Sequence, residues 1–150
     1  MNTQKDYEEF FALLNNEKVK YLIVGAYAIA YHAQPRFTGD IDIFVEVNTK
    51  NAVRLTAAVK KFGFANVGLA STDFLKPNHI IQLGYPPLRI DLLTNIDGVT
   101  FHTAWGNRVR GKFGKQPVWY ISKKDLIRNK KASGRIRDLL DLELIRSKRS

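Results

Sequence analysis

The stretch Tyr21 to Val47 constrains this chain more than any other. It opens with the apolar run Tyr21-Leu22-Ile23-Val24, long enough for a buried strand and too short for a helix. Gly25-Ala26 breaks the run, and a helical pattern follows over Ala26 to Ala33 with Ile29 directed inward. A loop with Pro35, Arg36, Thr38 and Gly39 leads into Asp40-Ile41-Asp42, the start of a second strand that extends to Val47. Side chains on a strand alternate between faces, so Asp40 and Asp42 share one side while Ile41 and Ile43 point into the core. Two like charges side by side are costly unless a positive charge sits between them. A hard divalent cation such as magnesium, with its preference for carboxylate oxygens, fits that position.

The remaining segments read as alternating helices and strands. Tyr7, Phe10, Phe11 and Leu14 follow the i, i+3, i+4, i+7 spacing of an amphipathic helix over Asp6 to Asn15. A capped helix is expected from Thr49 to Phe62, with Val53, Ala57 and Val59 apolar and Gly63 ending it. Strands are expected over Phe64 to Ala70 and His79 to Leu83, with a loop over Ser71 to Asn78. The turn Gly84-Tyr85-Pro86-Pro87 then makes a hairpin with Leu88 to Thr94. On that strand Arg89, Asp91 and Leu93 share a face. Asp91 either faces water from a sheet edge or joins Asp40 and Asp42 as a third carboxylate.

Between Thr100 and Tyr120 the pattern is irregular, with short strands expected near Trp105 to Val109 and Val118 to Ile121. Ser122 to Asp125 resembles a capping box and starts a helix that runs to about Ala132. Ser133-Gly134 separates it from a second helix, Arg135 to Arg146, with Ile136, Leu139, Leu140 and Leu142 as its apolar positions. The whole reads as one α/β (α+β) domain over residues 1–150: a mixed sheet carrying the carboxylates, flanking helices and a C-terminal helical pair.

Composition narrows the chemistry. With no cysteine, disulfides and thiolate metal sites are excluded. No apolar run reaches the ~20 residues of a membrane span, and the N-terminus has no signal-peptide pattern, so a soluble cytoplasmic protein is expected. Residues 108–150 hold 14 Lys/Arg against 4 Asp/Glu, which accounts for the whole formal charge of +10. That asymmetry points to an anionic partner, nucleic acid or nucleotide phosphates, or else to a solvated lysine-rich surface. His32, His79 and His102 have no metal-ligand spacing and read as structural or surface residues. Trp105 and Trp119 either stack a base or pack at the core's rim. Asp138 and Asp141, three apart on a helix, read as partners for Lys130, Arg135 or Arg137.

The ordered set Gly25-Ala26, Arg36-Phe-Thr38-Gly-Asp40-Ile-Asp42 and Asp91 in Leu-Arg-Ile-Asp-Leu-Leu resembles the nucleotidyltransferase fold. That catalytic core is shared by minimal nucleotidyltransferases and polymerase-beta-type enzymes. The ending, Leu126-Ile-Arg-Asn-Lys130 to Arg135-Ile-Arg-Asp138-Leu-Leu-Asp141, is similar to the C-terminal motif of the abortive-infection type II toxin-like branch. The resemblance spans residues 21 to 142.

It implies a metal-dependent transfer of a nucleoside monophosphate from a nucleoside triphosphate to a hydroxyl on RNA, such as tRNA, or on a protein. Asp40, Asp42 and Asp91 would be the catalytic metal ligands for Mg²⁺ or Mn²⁺. Gly25, Ala26, Arg36 and Lys130 would face the phosphates, and Thr38 would brace the loop. The small size leaves room for a partner chain or a homo-oligomer to supply the acceptor site. The family usually carries Gly-Gly or Gly-Ser where this chain has Gly25-Ala26. The alternative is therefore a regulatory module that binds nucleotide or nucleic acid without turnover.

Overall fold

The computed structural model of the chain describes residues 3–34, 40–64, 68–85 and 87–147. Among these, six strands form one mixed sheet: β1 (Tyr21–Val24), β2 (Asp40–Val45), β3 (Ile80–Tyr85), β4 (Leu88–Leu93), β5 (Val109–Phe113) and β6 (Gln116–Tyr120). Their order across the sheet is β3-β4-β2-β1-β6-β5. β2 runs antiparallel to β1 and parallel to β4, β1 runs parallel to β6, and the hairpins β3–β4 and β5–β6 close the two sides. Every residue of β1 is buried, as expected for a central strand with both faces covered.

Two apolar layers sandwich this sheet. Helix α1 (Thr3–Asn16) buries Tyr7, Phe10, Phe11 and Leu14 against Tyr21, Ile23, Ile41 and Ile43. Helix α3 (Thr49–Val59) adds Ala52, Leu55, Ala58 and Val59 to the same layer. On the other side Leu22, Val24 and Phe44 meet Ala28 and Ile29 of α2 (Gly25–His32). The same layer takes in α4 (Phe101–Gly106) through Ala104, α5 (Lys123–Ser133) through Leu126, and α6 (Ile136–Ser147) through Ile145. Asp40 and Asp42 share Phe44's face by the two-residue strand period, so the acids open toward the side that carries α2, α5 and α6.

Several expectations shift by a few residues, each for a local reason. Val53 is 55% exposed, and the inward face of α3 is set by Ala52 and Leu55 instead. The chain after α3 continues as a wider helical turn, Lys60–Phe64, in which Phe62 packs edge-on against Phe10 at 5.1 Å. The strand expected over 64–70 is not formed at residues 68–70, and residues 65–67 lie outside the described residues. Ser71–Leu75 is a short 3-10 helix inside the expected loop. The strand expected near Trp105 to Val109 is instead the end of α4. Thr100 caps that helix by accepting from the Thr103 amide (3.3 Å), and Phe101 stacks on Trp105 one turn later. β5 begins only at Val109.

Asn51 locks α3 to the sheet's end. Its side chain accepts from the Lys20 amide (2.8 Å) and donates to the carbonyls of Lys20 (3.1 Å) and Glu46 (2.8 Å), with Asn51 itself 3% exposed. Removing it leaves three backbone groups without this partner. Asn51→Ala is expected to cost about 2–3 kcal/mol in urea unfolding, an ordinary price for uncompensated buried polar groups. A loss below about 0.5 kcal/mol would show that water replaces the amide.

Candidate active site

The strand register assembles the acids. On the parallel pair β2–β4, Asp42 lies opposite Asp91 and Asp40 opposite Arg89. β3 covers the outer side of β4, so Asp91 is on an interior strand and only 7% exposed, not an edge residue facing water. On the antiparallel pair β1–β2, Asp42 lies opposite Val24, the last residue before α2. The helix therefore starts beside the carboxylate. Gly25 has φ +67°, and a Cβ there would come within 2.3 Å of Asp42 Oδ2, so both the backbone turn and the close approach require glycine. Val24 precedes the helix and provides no side-chain cap for its first-turn N–H groups.

The charges are unevenly compensated. Burial, then the neighbouring Asp91 and Asp40, push the Asp42 carboxyl up to about 6, against the opposing pull of Lys130 and Arg89. Arg89 grips Asp91 through both oxygens: Nε donates to Oδ1 and Nη2 to Oδ2, each at 3.1 Å. Its Nη1 is 3.8 Å from Asp40 Oδ2. The Arg89 backbone is itself fixed by Tyr7 of α1, whose hydroxyl donates to the Arg89 carbonyl at 2.9 Å and accepts from its amide at 3.3 Å.

The opposite wall comes from the C-terminal helical pair. Ser122 caps α5 by accepting from the Asp125 amide (3.1 Å), while the Asp125 carboxylate accepts from Asn107 (3.1 Å). Gly134 closes the helix in the left-handed conformation, φ 64°. Lys130 then donates to Asp138 Oδ1 at 3.1 Å and lies 3.5 Å from Asp141 Oδ2. Asp138 also accepts from Ser133 and Arg135, both at 2.7 Å. Burial raises its carboxyl, but these three donors outweigh burial and hold it at about 2.

This network reverses the expected face of α6. Asp138 and Asp141 are buried, whereas Ile136, Leu139 and Leu140 are exposed, and only Leu142 of the four expected apolar positions is covered. Lys130 of α5 and Arg135 in the turn before α6 hold the helix by its acids.

A cleft of about 340 Å³ lies between these walls, lined by Gly25, Ala26, Asp40, Asp42, Arg89, Asp91, Lys130 and Arg137 among others. It continues into a second lobe of about 410 Å³ where Asn78, Ile80, Leu93, Asn95, Ile96 and Asn129 join Asp42, Asp91 and Lys130. A larger hollow of about 590 Å³, lined by Phe44, Val99 and Phe101, contains none of the three acids, so the chemistry belongs to the smaller cleft. Arg36 and Thr38 lie outside the described residues.

Outside the cleft, His32 is tied to the Ile121 carbonyl (2.7 Å), a structural role. Trp105 and Trp119 clasp the Arg108 guanidinium at 4.0 and 4.5 Å, so they serve packing. Arg89, Arg135, Arg137, Asp138 and Asp141 are charged cleft residues that motif reading did not assign to the site. The available signals were Arg89's two-residue spacing from Asp91 and the i, i+3 spacing of the two acids.

As metal ligands, the three acids offer the carboxylate oxygens that magnesium prefers, and the Asp42 carboxyl is raised first by burial and then by the acids beside it. Among the described residues, no three acidic or imidazole side chains are drawn together as a finished ligand set. Asp91 is engaged by Arg89 instead. The donor chemistry fits a divalent cation, provided Asp91 is shared or released.

Comparison with known proteins agrees with this geometry. Residues 3–148 match a family described as nucleotidyl transferases of unknown function, and the chain belongs to that family. No curated protein matches it. Among solved structures it is similar to an antigenic nucleotidyltransferase-like protein from Paracoccidioides brasiliensis. That match has a TM-score of 0.57 and 15% identity, covering 97% of this chain and 74% of the other. At that identity the likeness concerns the fold. No helix among the described residues is long and apolar enough to cross a membrane.

Two outcomes test the electrostatics. Asp42 binds its proton more tightly folded than unfolded, so its ionisation erodes stability as pH rises from about 4 to about 6, and the deficit is constant above that. In EDTA, Asp42→Asn should therefore be more stable than wild type at pH 7.5, by at most about 3 kcal/mol, and the gain should vanish below about pH 4. A pH-independent difference in unfolding temperature would contradict this. Lys130→Met leaves Asp138 and Asp141 without their shared cation and should cost about 3 kcal/mol, read by denaturant unfolding.

Proposed function

We propose that the chain transfers a nucleoside monophosphate from a nucleoside triphosphate to a hydroxyl acceptor, using Asp40, Asp42 and Asp91 with a divalent metal. One observation carries the proposal: Asp42 and Asp91 are register partners on one sheet face, beside the uncapped start of α2. A magnesium or manganese ion held by these acids would neutralise the phosphates and acidify the acceptor hydroxyl. Gly25 and Ala26 line the cleft at the start of α2, where their N–H groups would suit the triphosphate, with Lys130 and Arg137 as further counter-charges. Arg36, from the loop before β2, would add another, with Thr38 bracing that loop. The amide-rich lobe with Ile80, Leu93 and Ile96 suits the base and sugar.

The acceptor oxygen then forms a bond to the α-phosphorus as the bond to the pyrophosphate oxygen breaks, and Asp91 takes the acceptor's proton. Pyrophosphate leaves with the displaced electron pair. The basic C-terminal part favours RNA as acceptor, tRNA being one such molecule, with a protein hydroxyl as the other class. The similarity of Leu126 to Asp141 to the toxin-like branch suggests an action against the cell's own RNA, in the cytoplasm, with a partner chain or second copy completing the acceptor site.

A second reading has its own observation. Ala26 lacks the hydroxyl or the glycine usual at this position, which favours a module that binds nucleotide without turnover. The two separate in one experiment. Each α-labelled triphosphate is incubated with the protein, magnesium and total RNA, beside Asp40→Ala/Asp42→Ala. Label should move to RNA or protein with wild type and fall about 100-fold or more with the variant. Magnesium-dependent nucleotide binding without transfer selects the second reading, and no binding at all refutes both.

A further inference from the structure

Arg89 sits where it decides whether the acids can take a metal. It precedes Asp91 by two residues on β4, so it shares the acid's face, and it is the register partner of Asp40 across the β2–β4 ladder. Its fork meets both Asp91 oxygens at 3.1 Å while a third nitrogen lies 3.8 Å from Asp40. A bidentate guanidinium takes one in-plane lone pair on each carboxylate oxygen, so a divalent ion is left only the remaining pair on each and cannot chelate Asp91 between its two oxygens while the fork is in place. A metal bound alongside the guanidinium would also face a positive charge a few ångströms away in a partly buried site.

Tyr7 fixes the Arg89 backbone on both its amide and its carbonyl, so the arginine cannot yield by a shift of the strand. It can yield by its side chain, which is 31% exposed toward the cleft.

Resting on the metal-dependent reading above, we propose that Arg89 is the resident counter-cation of the carboxylate cluster and competes with the divalent metal for Asp91. Arg89 thereby sets how much metal the site requires. A purely structural arginine would only add stability, and one that orders Asp91 for the metal would strengthen binding. Competition predicts the opposite sign: removing the arginine destabilises the metal-free protein and tightens its metal binding.

The test uses the full chain without nucleotide and Mn²⁺ as the probe, titrated by calorimetry and by electron paramagnetic resonance of free Mn²⁺, with unfolding temperature measured in EDTA. Arg89→Gln should bind Mn²⁺ about tenfold or more tightly than wild type and unfold at a lower temperature in EDTA. Arg89→Lys keeps a charge without the fork and should fall between the two. If the glutamine variant does not fold, the lysine variant carries the test, and an affinity no tighter than wild type overturns the proposal. Equal or weaker Mn²⁺ binding by Arg89→Gln also overturns it and leaves the metal-dependent reading standing. No Mn²⁺ binding by wild type or either variant overturns both. Asp91→Asn, added to wild type and to Arg89→Gln, should abolish the difference between them, and a difference that survives places the competition elsewhere and refutes the assignment.

Discussion

The ladder between β2 and β4 forces like charges together. Asp42 and Asp91 are neighbours because backbone hydrogen bonds fix the register of two interior strands, and the apolar alternation on their other faces fixes which way the acids point. Ile41, Ile43, Ile90 and Leu92 are fully buried, so a one-residue slip of either strand would turn its two large side chains out of the layer under α1 and bury charge there. The burial and the repulsion are thus both imposed by the hydrophobic core, which is why they persist as a raised Asp42 carboxyl, burial first and Asp91 and Asp40 after it, and are not relaxed by moving a strand.

Everything else around the cleft answers that imposed charge. Arg89 covers Asp91 from the same strand, and Lys130 approaches from α5. Lys130 is itself balanced by Asp138 and Asp141, so its attraction to the strand acids is moderated by a second pair of carboxylates. Such a chain of alternating charges holds α5 and α6 over the sheet by polar contacts, with Leu126 and Ile145 as the apolar pins. It is a costly way to attach a helix, since buried ion pairs seldom exceed well-packed apolar groups in stability. The arrangement makes sense when the cations must face a cleft.

The strand-borne part of this was legible in the sequence because strand periodicity is rigid. Asp-x-Asp on one strand and an acid amid an apolar run on another already fix faces, and the short segment Tyr21 to Val24 with Gly25 fixes where the helix starts. The α6 surface was not legible. Its spacing of Ile136, Leu139 and Leu140 is that of an inward apolar stripe, yet those residues are exposed and the acids are buried. The charge spacing did indicate Lys130 and Arg135 as partners of Asp138, but periodicity weighs hydrophobicity alone and does not show that these donors, with Ser133, gather around a buried carboxylate. The segment from Thr100 to Val109 failed for a related reason. Its aromatic content suits a strand, but the Thr100 cap and the Phe101–Trp105 stack decide for a helix.

The pair Gly25-Ala26 shows how the geometry refines a motif. The glycine is required twice over, by φ +67° and by the 2.3 Å a Cβ would leave to Asp42 Oδ2. Ala26 lies within the helix, where alanine is the most favourable residue, and its N–H belongs to the first turn whatever its side chain. What the chain forgoes at this position is a side-chain hydroxyl and the room a bare backbone gives a phosphate. The carboxylate beside Gly25 is untouched by that exchange. Ala26 therefore bears on how closely an anion can seat at the helix start, while the capacity of Asp40, Asp42 and Asp91 to engage a cation is governed from the other side, by Arg89.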